Sequence, residues 1–216
     1  MQSSARQRRL PAEARRAAMI ERAAEVFAAH GFAASTRDIA HRMGVAQALI
    51  YKYFASKEAL IDAVLETRFL ARSDGPDRQG LEGDGPLAER IYAFYASFAK
   101  PKDDVNLRLF LRAALDGLDF AARYRTRLDP VYIWPVVSAL RREIGAPALG
   151  DAPPTDAERE VAMQMHGCLV FTRIRSSIYR RPPTLPLDEV AQLQARVFAA
   201  GAVAEMRRLH FGDGAV

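Results

Sequence analysis

Ser35-Thr36-Arg37-Asp38-Ile39-Ala40-His41-Arg42-Met43-Gly44-Val45-Ala46-Gln47-Ala48-Leu49-Ile50-Tyr51-Lys52-Tyr53-Phe54 is the stretch that decides how the rest of this chain is read. Ser35 can cap a helix that begins at Thr36, and Asp38, three residues on, can answer it as a capping box. Ile39 and Met43 are four apart and share one face of that helix, with the small Ala40 beside them. Gly44 tolerates the positive φ that a sharp helix exit requires. Val45, Ile50 and Phe54 then give a second short helix an apolar side. Gln47, Ala48, Leu49, Tyr51, Lys52 and Tyr53 are left on its outer side. Ser56 caps the next helix, with Lys57 in its first turn. The pattern predicts a helix-turn-helix.

The outer side has the chemistry of a DNA reader. No Asp or Glu occurs from residue 39 to residue 57, which suits a phosphate backbone. Arg37 can read guanine and Gln47 adenine, each through two hydrogen bonds, and Leu49 can meet a thymine methyl. Tyr51, Lys52, Tyr53 and Lys57 suit phosphate oxygens, which set register without carrying sequence information. The backbone N–H groups of the helix capped by Ser56 offer another phosphate site. A helical hairpin that merely packs is the bland alternative, and the agreement of spacing, capping and charge weighs against it.

Charge supports the same assignment. Residues 1–57 hold ten Lys and Arg against four Asp and Glu, whereas the remaining residues hold 21 against 22. The whole positive excess of a chain with net charge +5 therefore lies with the predicted head.

These residues resemble the TetR family of transcriptional regulators. The resemblance runs over about residues 15–66. It is carried by Val26-Phe27-Ala28-Ala29-His30-Gly31-Phe32, Thr36-Arg37-Asp38-Ile39-Ala40, Gly44-Val45, Ile50-Tyr51-Lys52-Tyr53-Phe54 and Ser56-Lys57-Glu58-Ala59-Leu60. It implies a homodimer whose two heads read a palindromic operator in double-stranded DNA. It also implies a helical C-terminal domain that binds a small molecule and releases the DNA, and it favours repression. With the residues above, it makes Thr36, Arg37, Gln47, Ala48, Leu49, Tyr51, Lys52, Tyr53 and Lys57 the expected DNA contacts. Three departures stand out: Ala46 where the family often has a capping Ser, Ala48-Leu49 where small or Thr-like residues are common, and Tyr53 for a frequent His.

The expected fold is all-α. A basic arm and a three-helix head fill residues 1–56, and a helical regulatory, ligand-binding and dimerisation domain fills 57–216. The first helix is expected from Pro11 or Ala12 to His30, after a basic arm over residues 1–11. A fourth helix is expected from Lys57 to about Arg72, as the lever joining head to body. Residues 73–86, with four Gly and two Pro, read as a loop. Further helices are expected near 86–100, 104–116, 118–128, 130–145, 156–180 and 187–210, and Pro135 is expected to kink its helix or postpone its start.

In the 156–180 helix, Val161, Met165, Cys168 and Thr172 are assigned to one side and Met163, Val170 and Ile174 to another. A helix apolar on two sides needs cover on both. With the run Ala199-Ala200-Gly201-Ala202 in the last helix, this makes residues of about 156–210 the expected homodimer seam. Phe94, Phe98, Phe110, Trp134 and His166 are the expected contacts of an apolar or aromatic effector.

Two rival functions have less behind them. A non-specific basic protein of DNA or membrane surfaces would share the charge bias, but the base-reading pair Arg37 and Gln47 argues against it. An enzyme would need a reactive constellation. His166 and Cys168 are two apart and point different ways on a helix. The four His residues, His30, His41, His166 and His210, are scattered, and no Gly-rich cofactor fingerprint is present. No catalytic residue, cofactor or metal is assigned. No run of 18 apolar residues and no secretory signal occurs, so no membrane partner is expected and a cytoplasmic location is. The single Cys168 forms no internal disulfide.

Overall fold

A computed structural model describes residues 11–70, 76–99 and 104–212, without the side chains of residues 97–99, 121 and 122. The arm expected over residues 1–11 lies, apart from Pro11, outside the described residues. Among the described residues every regular element is helical. These residues form two compact units, one within Met1–Arg72 and Asp104–Ala121, the other within Ser73–Asp103 and Ala122–Val216.

In the first unit, α1 (Ala12–His30) runs from Pro11 to Gly31, as the sequence predicts. Gly31 has φ +78°, and its N–H donates to the Phe27 carbonyl at 2.8 Å. A Cβ there would lie 3.2 Å from Asp116 Oδ2, the atom that accepts from Phe32 N at 2.8 Å. Phe32 folds back to stack on Phe27 with ring centroids 4.9 Å apart.

α2 (Thr36–Met43) and α3 (Gln47–Tyr53) follow, then α4 (Lys57–Leu65). Ala23, Ala24 and Phe27 of α1 form the centre of this unit with Ile39, Ile50, Leu60 and Val64, all fully buried. The helix expected to reach Arg72 is α-wound only to Leu65. Glu66–Leu70 continues it with wider π winding, and Arg68 ties this segment to Glu21 of α1 at 2.7 Å. Residues 71 and 72 lie outside the described residues.

The stretch expected to be a loop over 73–86 contains a short helix, α5 (Arg78–Glu82), in the second unit. The Asp77 carboxylate caps it by accepting from Gly80 N at 3.1 Å, and Leu81 is buried. Composition alone hides this helix, because one apolar side chain and one cap suffice when neighbours cover it. α6 (Leu87–Ala99) belongs to the same unit, and α7 (Val105–Leu115) packs on α1 in the first.

α8 (Ala121–Leu128) and α9 (Trp134–Ile144), predicted as separate helices, form one continuous run through π winding at Asp129–Ile133. Pro130 and Pro135 both lack an N–H, so an α ladder would lose two bonds here. The winding widens instead, and Trp134 N–H reaches back five residues to the Asp129 carbonyl. Regular α winding resumes at Trp134, with Pro135 in the first turn, so the start is indeed postponed.

α10 (Asp156–Ser177) and α11 (Leu187–Phe211) complete the second unit. Its core joins Ile91, Phe94 and Tyr95 of α6 to Ile133, Val137 and Leu140, with Met165 and Leu169 of α10 and Ala195 and Met206 of α11. Buried Ala191, Ala195, Ala199 and Ala202 let α11 lie close to its neighbours.

The sides of α10 differ from the sequence assignment. The buried stripe is Glu158, Ala162, Met165, His166, Leu169 and Thr172, while Cys168 is exposed and Val161 only half-buried. Glu158 and Thr172 occupy this stripe because they are bonded. Glu158 receives two bonds from Arg141, at 2.6 and 2.8 Å, and pairs with His210 Nε2 at 2.9 Å. Thr172 donates to the Cys168 carbonyl at 2.9 Å.

Candidate functional site

α2 and α3 form the predicted helix-turn-helix. Ser35 Oγ accepts from Asp38 N at 3.1 Å, and its hydroxyl donates to the Asp38 carboxylate at 2.6 Å. That contact holds the Asp38 carboxyl below its ordinary range. Gly44 has φ +67° with no atom near where a Cβ would sit, so its role is backbone conformation and not space. Val45 N reaches the Ala40 carbonyl at 3.0 Å, which closes the turn. Arg22 of α1 donates to the last carbonyl of α2, Met43, at 3.2 Å. Ala46 precedes α3 with no side-chain cap, the departure noted in the sequence.

Ile50 and Phe54 turn inward, and Arg16 of α1 covers the Phe54 ring at 5.0 Å. Of the nine residues expected at DNA, Arg37, Gln47, Ala48, Tyr51 and Lys52 are exposed and Leu49, Tyr53 and Lys57 half-buried. Thr36 is buried and accepts a hydrogen bond from the Tyr51 hydroxyl at 3.3 Å.

The start of α4 is less open than its sequence suggests. Ser56 Oγ accepts from Ala59 N at 3.1 Å. Glu58 curls back on its own backbone N–H and the Ser56 hydroxyl, which lowers its pKa. A carboxylate thus already occupies the helix end offered to a phosphate.

The expected effector contacts are split. Phe110 belongs to the first unit, with its ring near Phe69 and Phe120. The Phe98 side chain lies outside the described residues. Phe94 and His166 come together in the second unit around two tyrosines. Phe94 lies 5.0 Å from Tyr95 and 6.1 Å from Tyr132, and His166 lies 6.1 and 5.6 Å from the same two rings. Burial lowers the His166 pKa to about 4, so the ring is neutral near pH 7. Burial also raises Tyr95, and it pushes Tyr124 up to about 12. The cluster therefore presents neutral groups.

Trp134 is half-buried and lines a cleft with Arg78 and Arg142. Sequence reasoning passed over both arginines. Arg78 sat in the presumed loop, and Arg142 reads as an ordinary basic residue near a helix end. Among the described residues no three His, Cys, Asp or Glu side chains are placed to hold a metal ion, and no helix is long and apolar enough to cross a membrane.

Comparison with known proteins bears on these features. The family model described as "Bacterial regulatory proteins, tetR family" matches residues 19–64, which include α2, α3 and most of α4. No curated protein matches the sequence. The fold is similar to solved structures of low identity. A protein from Pseudomonas aeruginosa PAO1 is 21% identical with TM-score 0.66, covering 95% of this chain and 98% of that one. A TetR-family transcriptional regulator from Bordetella parapertussis 12822 is 24% identical with TM-score 0.62, covering 86% and 94%. A TetR-like transcriptional regulator from Rhodococcus sp. RHA1 is 17% identical with TM-score 0.59, covering 89% and 100%.

Proposed function

We propose that this chain, whose residues 19–64 match the family model of the tetR bacterial regulatory proteins, is a cytoplasmic repressor that binds a palindromic operator as a homodimer and leaves it when a small effector binds. The observation that carries the reading is the capped α2–Gly44–α3 turn, which exposes Arg37, Gln47 and Lys52, the last two in a stretch, residues 39–57, free of acidic side chains. In this reading Arg37 and Gln47 read bases, and Lys52, Lys57, Tyr51 and Tyr53 hold phosphates. Residues 1–56 read DNA, and 57–216 regulate and dimerise.

Dimerisation is supported by apolar surface on the last two helices. α10 and α11 run antiparallel, with Gln194 donating to Thr172 Oγ1 at 2.9 Å. Phe171, Leu193 and Val197 are 55%, 44% and 67% exposed. A groove of about 210 Å³ opens at Val197, lined also by Val161, Phe198 and Gly201. Large apolar side chains left outside on paired long helices suit a second copy of the same surface.

Of the expected effector contacts, Phe94 and His166 are the pair this reading keeps, and the neutral cluster around them suits an apolar or aromatic molecule. Two recognition helices must sit about 34–36 Å apart to read one face of DNA. An effector that favours another separation weakens operator binding, and the operator weakens effector binding equally.

Two substitutions test base reading against plain charge. Arg37→Ala is expected to cost about 1–3 kcal/mol and relax preference at one base position. Lys57→Ala is expected to weaken all sequences alike and reduce the salt slope by about one. If both merely shift salt-dependent binding equally across sequences, the protein is a non-specific basic binder.

A further inference from the structure

We infer that the cleft between α5 and α9 is a binding site for a small aryl carboxylate. Its volume is about 590 Å³, within the range of roughly 300–1,000 Å³ usual for small-molecule sites. Leu81, Pro130, Trp134 and Pro135 supply apolar walls, and Arg78 and Arg142 supply charge.

The walls are tied to each other. Arg78 of α5 donates to the Pro130 carbonyl at 2.7 Å, while Arg142 of α9 donates to the Leu81 carbonyl at 2.9 Å. Each arginine thus crosses to the opposite wall and is held there by backbone. A guanidinium has five N–H donors, so each keeps others for a ligand at a fixed orientation. The loop beyond α9 is anchored as well, since Arg141 donates to the Pro147 carbonyl at 3.3 Å, and Leu149 and Gly150 form part of the rim.

A second observation is independent of the cleft's shape. The π winding of Asp129–Ile133 contains Pro130 and ends against Trp134, both of which line the cleft. Such widened turns interrupt a helix ladder and recur at functional sites. Here the interruption sets where the indole stands.

The ligand class follows from the lining. Two guanidiniums against the single carboxylate of Glu82 leave the site cationic, which favours an anion. A carboxylate matches the guanidinium fork with two parallel bonds. The indole and prolines favour a flat apolar body. Both arginines are exposed, so binding of the acid weakens as salt rises, whereas a neutral analogue shows no such dependence.

Trp134 is the only tryptophan in the chain, so its fluorescence reports this cleft directly. The experiment titrates the full-length protein, without DNA, with phenylacetate, 3-phenylpropionate and 4-phenylbutyrate, each beside its amide and its amine. At least one acid is expected to saturate the signal with a Kd of about 1 mM or lower. Its amide and amine, and the acid against Arg78→Gln or Arg142→Gln, are expected to bind at least about tenfold more weakly, the size of effect one lost charge-assisted contact gives. Ser138 is exposed on the cleft wall, so Ser138→Phe fills the space without disturbing the core and abolishes saturation. The inference is overturned if no acid saturates by about ten times that Kd. It is also overturned if acid, amide and amine bind alike, or if Ser138→Phe binds unchanged. The titration contains no DNA, so it fails or succeeds independently of the operator-binding reading.

Discussion

Tyr51 of α3 donates its phenolic hydrogen to Thr36 of α2, with 3.3 Å between the oxygens. This bond joins the first residue of one helix of the turn to the exposed side of the other. Tyr51→Phe is expected to destabilise the protein by about 0.5–1.5 kcal/mol in thermal or denaturant unfolding. Thr36→Val removes the same bond, so the double variant is expected to lose less than the sum of the two. Additive losses would mean that the two hydroxyls do not act on each other.

Ala46 begins α3 without a side-chain cap. Ala46→Ser supplies an oxygen for one of the unpaired N–H groups at that end. It is expected to stabilise the protein by about 0.5–2 kcal/mol. An unchanged denaturant midpoint would show that those N–H groups are already satisfied.

Acid is expected to weaken the second unit over two pH ranges. His166, with its pKa lowered to about 4 by burial, stays neutral in the fold while the unfolded chain takes up a proton. Stability therefore falls as pH drops from about 6.5 towards 4. Glu158 has its pKa lowered to about 2, chiefly by Arg141. Its contribution is present above its ordinary value of 4.5 and is lost as pH falls towards 2. Unfolding free energies measured across pH are expected to lose the upper slope in His166→Gln and the lower slope in Glu158→Gln. Profiles parallel to the parent would contradict the assignment.

Val197 is 67% exposed on α11, so Val197→Arg has little effect on the isolated chain. Burying that charge against its own copy is costly. Sedimentation is expected to show a dimer for the parent and a folded monomer for the variant. A dimer in both would move the seam elsewhere.

The head was legible because its signals are local. Ser35, Gly44 and Ser56 each act within four residues, and the structure places each cap where the spacing requires. The long helices were legible from apolar periodicity and prolines. The rest depended on partners distant in sequence. A glycine-rich stretch becomes a helix where Asp77 caps it, Leu81 is buried, and Arg90 and Arg142 both donate to the Leu81 carbonyl. Pro130 reads as a break, yet the run continues because Trp134 N–H finds Asp129. Glu158 reads as a surface residue until Arg141 and His210 converge on it. The expected effector contacts were least legible, since an isolated Phe looks the same in a core as in a pocket. Phe110 and Phe94 lie in different units for reasons no periodicity encodes.

The central claim is that α2 and α3 read a specific sequence in a dimer. Selection of binding sites from random duplex DNA by the purified protein, at one stated near-physiological salt, tests it most directly. The account predicts enrichment of a palindrome whose half-sites lie about one helical turn apart. Recovery of unenriched DNA, with binding that simply vanishes as salt rises, would contradict it and leave only a basic head attracted to phosphate.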